Sequence, residues 1–182
     1  TVVAYEKTLI NTLRRAEYLA KQGWDIFASP ALKYFLYNDI DARWFEEHPE
    51  TLDWYSQLDD NDIWSALKVW AHSKDMILSM LATDVINRHI FKVEVREAPV
   101  EGDELETIRK SIAEKAGIDE VDVGYFMSVS TVQKDMYDIN DDHISILYKD
   151  GVIKDIADAS ELLNVDLLSK KIRKYYLCYQ RF

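Results

Sequence analysis

The sequence predicts an α+β fold, in which a helical segment over residues 1–89 leads into a small mixed subdomain over residues 90–182 with a β-α-β-β-α-β-like order. Three observations predict it. Apolar residues recur at spacings of three and four as far as His89, and from Ile90 onward they begin to alternate. All five tryptophans (Trp24, Trp44, Trp54, Trp64 and Trp70) fall in the first part. With 48% apolar residues, five Gly and three Pro in 182 residues, the chain has the material for a core and few breakers.

The first element is a helix over 2–22. Val2, Tyr5, Leu9, Leu13, Ala16 and Ala20 line one face, and Gly23 stops it. Ser29 and Pro30 then stand as N-cap and first helical residue of a second helix through about 31–37. Between 41 and 89 the stretches HPETLDWYSQ, DDNDIWSALKVWAHS and SKDMILSMLATDVINRH each place acids or hydroxyls before an apolar run, which predicts short packed helices. A tryptophan buries roughly 150–250 Å². The five are therefore expected to form the core of this half.

Beyond His89 the stretch IFKVEVRE alternates as a strand does, DELETIRKSIAEKAG is an amphipathic helix closed by Gly117, and GYFMSVSTV is a second strand. HISILYKDGVIKDI reads as two strands around Asp150 and Gly151, a dipeptide that favours a tight hairpin. DASELLNVDLLSKK follows as a helix, and RKYYLCYQRF closes as a strand.

The formal net charge of −11 argues against nucleic acid and anionic membrane surfaces as partners, since both are held by positive fields. Most of the excess lies in residues 97–143, where thirteen acids face four bases. Against this background Arg88, Lys92, Arg96 and Lys149 are the candidate phosphate contacts. Arginine offers a planar fork to phosphate oxygens and lysine a mobile point charge. The competing reading is salt bridging to neighbours such as Glu94 and Glu97.

Other chemistry is weakly represented. The histidines His48, His72, His89 and His143 form no metal-ligand spacing, and neither a glycine-rich phosphate loop nor a nucleophile elbow is present. Asp138, Asp141, Asp142 and His143 lack the glycine and terminal glutamate of a calcium loop and read as a solvated turn. Asp59, Asp60 and Asp62 read as a helix cap. Cys178, the single cysteine, has no basic neighbour to activate it, and with no disulfide possible within the chain the cytoplasm is the expected compartment.

The stretches TVVAYEKTLINTLRRAEYL, QLDDNDIWSAL, INRHIFKVEV and DVGYFMSVSTVQKDMYDINDDHISILYKDGVIKDIADASELL together resemble the C-terminal region of HD-domain phosphohydrolases of the deoxynucleoside triphosphate triphosphohydrolase type. Arg88, Phe91 and Lys92, an R-x-x-F-K match, carry much of the likeness. The resemblance implies that the catalytic HD domain, with its divalent metal, precedes this region, and no His-Asp pair occurs in the chain. The chain is accordingly expected to be a fragment without catalytic residues, metal ligands or a cofactor of its own.

For the remainder the resemblance implies regulation and assembly. Arg88, Lys92 and Lys149 match positions that contact the phosphates of activating nucleotide triphosphates at subunit interfaces. The implied partners are further copies of the chain in a homo-oligomer, its own HD domain and those nucleotides. A purely structural dimerisation scaffold, with no nucleotide binding, is the alternative.

Overall fold

A computed structural model describes residues 2–134, 145–155 and 172–182. Along them run α1 (Val2–Lys21), α2 (Pro30–Tyr37), α3 (Ala42–Glu47), α4 (Glu50–Ser56), α5 (Asp60–Trp70) and α6 (Met76–Asn87). Then follow β1 (Lys92–Arg96), α7 (Gly102–Ala116), a 3-10 turn (Glu120–Tyr125), β2 (Met127–Lys134), β3 (Ser145–Leu147), β4 (Ile153–Asp155) and β5 (Ile172–Tyr179). The fold is α+β, and helix gives way to strand at residues 88–92. The helix expected over 158–171 and the cluster Asp138, Asp141, Asp142 and His143 lie outside the described residues.

Side-chain caps set the helix starts. Ser29 accepts from the backbone N–H of Leu32, Asp41 from Trp44 and Asp75 from Leu78. Asp59 forms a full capping box with Asp62, so these acids do act as a cap. The hydrogen bonds to Asn61 and Asp62 also hold the Asp59 carboxyl below the usual carboxylate range.

The buried face of α1 is not the expected stripe. Ala4, Thr8, Asn11, Thr12, Arg15, Ala16, Leu19 and Ala20 are buried, whereas Tyr5, Leu9 and Leu13 are only partly covered and Val2 is exposed. The threonines can face inward because each hydroxyl donates to the carbonyl four residues back, Thr8 to Ala4 at 2.9 Å and Thr12 to Thr8 at 2.8 Å. Asn11 donates to the carbonyl of Tyr125.

The helical core joins α1, α2, α5 and α6 through aliphatic side chains, among them Leu19, Leu32, Leu36, Leu67, Leu78 and Val85. The tryptophans do not form it as expected. Trp70 is buried, with its indole N–H on the carbonyl of Phe27, but Trp24 and Trp64 are 43% and 42% exposed. Trp54 stacks on Tyr34 and Trp44 on His48, so these two make a partly exposed aromatic layer over α2 to α4. An amphipathic indole tolerates such half-wet positions.

The described strands form a three-stranded sheet in the order β1-β5-β2 and a two-stranded antiparallel sheet of β3 with β4. In the hairpin Ser145 pairs with Asp155 and Leu147 with Ile153. The Tyr148 N–H donates to Val152 and the Gly151 N–H to Tyr148, with Gly151 at φ 83°. That is a three-residue loop closed by a left-handed glycine, which accounts for the Asp-Gly dipeptide.

By internal contacts the chain forms two compact units. One comprises residues up to Glu94, Val100–Val129 and Leu177–Phe182, and the other Val95–Pro99 with the described parts of Ser130–Tyr176. In the first unit Phe91, Ile112, Val123, Phe126, Leu177 and Cys178 are buried as well. Burial pushes the Cys178 thiol up, against weaker opposing effects of Ser128 and Lys7, as befits an inert core cysteine.

Candidate functional site: the basic junction between α6 and β1

The helix α6 ends by a specific device. His89 N–H donates to the carbonyl of Asp84 at 2.9 Å and Arg88 N–H to that of Val85 at 3.3 Å, with Arg88 at φ 59°, ψ 30°. This is a Schellman closure with its left-handed position at Arg88. In α1 the same position is Gly23 (φ 86°), and α7 ends in a left-handed Gly117 (φ 66°). Among the described residues Arg88 is the only non-glycine with positive φ. A side chain there costs about 1–2 kcal/mol relative to the right-handed region. The Arg88 side chain is exposed and makes no hydrogen bond or ion pair with another described residue.

Between the two candidate cations, Phe91 is buried at 3% exposure and anchors the start of β1. Lys92 and Glu94 follow at alternate positions, which places both on one face of the strand. The Lys92 ammonium pairs with Glu94 and donates to the Tyr179 hydroxyl at 2.9 Å, while that hydroxyl donates to Glu94 at 2.8 Å. Tyr179 stands on the neighbouring strand β5, its ring centroid 5.3 Å from the ammonium. Hydrogen bonds to Glu94 and then Tyr179 raise the lysine pKa, so Lys92 is held charged. Salt bridging to Glu94, the competing reading of the sequence, is thus realised at Lys92. Arg96 is also engaged, and Lys174 pairs with Glu97 at 2.9 Å within the second unit.

Beneath this junction the Asp84 carboxylate is largely buried and accepts from the side-chain amide of Gln180 at 2.8 Å. Burial pushes its pKa up to about 6, against the opposing charge of His89, whose Nδ1 is 3.9 Å away. The Gln180 carbonyl oxygen is buried without a partner among the described residues.

Lys149 belongs to the other unit. The resemblance implies a strand position for it, but the structure places it, exposed, in the turn between β3 and β4. Tyr179, Gln180 and Asp84 were not singled out in the sequence. The period-two spacing of Lys92 and Glu94 hinted at their pairing, but no local pattern links them to Tyr179, 85 residues beyond Glu94.

The first unit also carries an apolar groove of about 660 Å³ lined by Ile10, Leu13, Phe35, Leu36, Phe45 and Ile63. Among the described residues no group of three or more His, Cys, Asp or Glu is placed to hold a metal. No helix of the described residues is long and apolar enough to cross a membrane.

Fold and site together define an α+β region with a basic, partly neutralised junction. The chain is similar to a phosphohydrolase from Bacteroides thetaiotaomicron VPI-5482 known from its crystal structure, with 53% sequence identity and a TM-score of 0.88. The match covers 98% of this chain but 44% of that one, so the chain spans less than half the length of its relative. Neither family profiles nor curated proteins return a match.

Proposed function

We propose that the chain is the C-terminal regulatory and oligomerisation region of an HD-type dNTP triphosphohydrolase, non-catalytic by itself, in which Arg88 and Lys92 contact the phosphates of an activating nucleotide. The observation that carries the reading is the 53% identity, over nearly all of this chain, to a part of a protein named a phosphohydrolase. Catalysis would reside in a preceding HD domain with its divalent metal, and nucleotides would bind between copies of the chain. Lys149 is included on the resemblance alone.

Arg88 supports the phosphate role physically. Its position favours glycine, yet it holds an exposed guanidinium without a described partner. Non-glycine residues held in the left-handed region cluster at active sites, ligand clamps and switch regions. An acidic chain would repel a nucleotide triphosphate unless local cations offset the repulsion. Calorimetric titration of the complete protein with dGTP and Mg²⁺ tests the proposal: saturable heat beyond active-site binding is expected, and it should weaken in Arg88→Ala and Lys92→Ala.

The structural-scaffold reading is favoured by a different observation. Lys92 already has an internal counter-ion, and the groove near Ile10 and Phe35 is apolar. On that reading the two substitutions leave nucleotide binding unchanged.

A further inference from the structure

Lys92 does not wait for a ligand as a bare cation. Its ammonium donates both to Glu94 and to the Tyr179 hydroxyl, and that hydroxyl closes the triangle by donating to Glu94. The side chains of Lys92 and Glu94 are 32% and 24% exposed, so the group is shielded but reachable. A carboxylate in this position presents to Lys92 the same kind of oxygen that a phosphate would.

We infer that Glu94 is a built-in competitor for the phosphate site, an internal counter-ion that occupies Lys92 until a polyphosphate displaces it. This rests on the reading of Lys92 as a phosphate contact. A phosphate that approached Lys92 with Glu94 in place would bring two like charges within a few ångströms of each other. Binding therefore requires the Glu94 carboxylate to turn away from the ammonium. Tyr179 suits the exchange, because a hydroxyl that now accepts from Lys92 and donates to Glu94 can rotate its proton toward a phosphate oxygen. Glu94 would thereby set a threshold, so that only ligands with several negative charges open the pair.

The test is titration of the complete protein with sodium tripolyphosphate in Mg²⁺, following the component of binding that Lys92→Ala removes. Glu94→Gln keeps an oxygen to accept from Tyr179 but deletes the charge. It should tighten that component by about two- to five-fold, the range expected for releasing one partly exposed ion pair. Should Glu94→Gln shift the melting temperature, Glu94→Ala is measured in the same way and must move affinity in the same direction. Unchanged or weaker binding in the Glu94 variants, with Lys92→Ala still deleterious, overturns the inference and leaves the phosphate role of Lys92 standing. Binding that is indifferent to Lys92→Ala overturns both.

Discussion

Arg15 of α1 grips Asp75, the cap of α6, through two parallel hydrogen bonds, Nε to Oδ1 at 3.1 Å and Nη2 to Oδ2 at 2.7 Å. Its Nη1 reaches Asp122 of the 3-10 turn at 3.0 Å, and the rings of Tyr18 and Tyr125 lie about 5 Å from the guanidinium, at 5.2 and 5.1 Å. Burial works against the charged guanidinium, but the hydrogen bonds to Asp75 and Tyr125 and the two carboxylates outweigh it and raise its pKa. One side chain thus ties together three elements distant in sequence.

Removing one partner of so shielded a pair leaves the other charge uncompensated. Arg15→Ala is expected to lower unfolding stability by about 3–5 kcal/mol in chemical denaturation. Asp75→Asn should lose less, since its amide oxygen can still accept from Leu78 N–H. A loss below about 1 kcal/mol in Arg15→Ala would contradict the clamp.

Asp84 makes a prediction about pH. Its folded pKa, about 6, lies above the 3.8 of an ordinary aspartate, so the folded state holds the proton more tightly than the unfolded chain. Its contribution to stability is therefore fully present below about pH 4 and is lost as pH rises through about 6. Asp84→Asn, which mimics the neutral acid, should gain on the wild type by about 2–3 kcal/mol between pH 4 and pH 7. Equal slopes of stability against pH in the two proteins would sink this assignment.

Arg88 links stability to function in opposite directions. Arg88→Gly relieves the left-handed strain and should stabilise the protein by about 1 kcal/mol, read as a shift in denaturation midpoint. The same variant should lose nucleotide response. Destabilisation would mean that the arginine side chain has a structural partner.

The core is equally testable. Trp70→Ala should cost about 3–5 kcal/mol, because the indole is buried and hydrogen-bonded to Phe27, whereas Trp64→Ala on the exposed face of α5 should stay within about 1 kcal/mol. Urea denaturation of the two variants side by side decides this.

These contrasts show what was legible beforehand. Caps are local, so Ser29, Asp59 and Gly117 could be read from neighbours in the chain, and period alone located the change from helix to strand after His89. Which tryptophan is buried depends on how α5 packs on α6, and composition cannot settle that. The inward face of α1 was missed because Thr8, Thr12 and Arg15 look polar until their hydrogen bonds are drawn. At the junction, the salt bridge of Lys92 to Glu94 was one of two readings available from spacing. Its third member, Tyr179, comes from a strand far along the chain. The left-handed backbone at Arg88 carries no sequence mark at all, since glycine is the residue that normally announces it.

The most direct test of the central claim is dNTP hydrolysis by the complete protein with Mg²⁺ or Mn²⁺, with oligomer mass followed in parallel. If Arg88 and Lys92 hold an activating nucleotide, each alanine variant loses nucleotide activation and nucleotide-dependent assembly. If both variants keep wild-type activation and oligomer size, the phosphate role is wrong and the region is a scaffold.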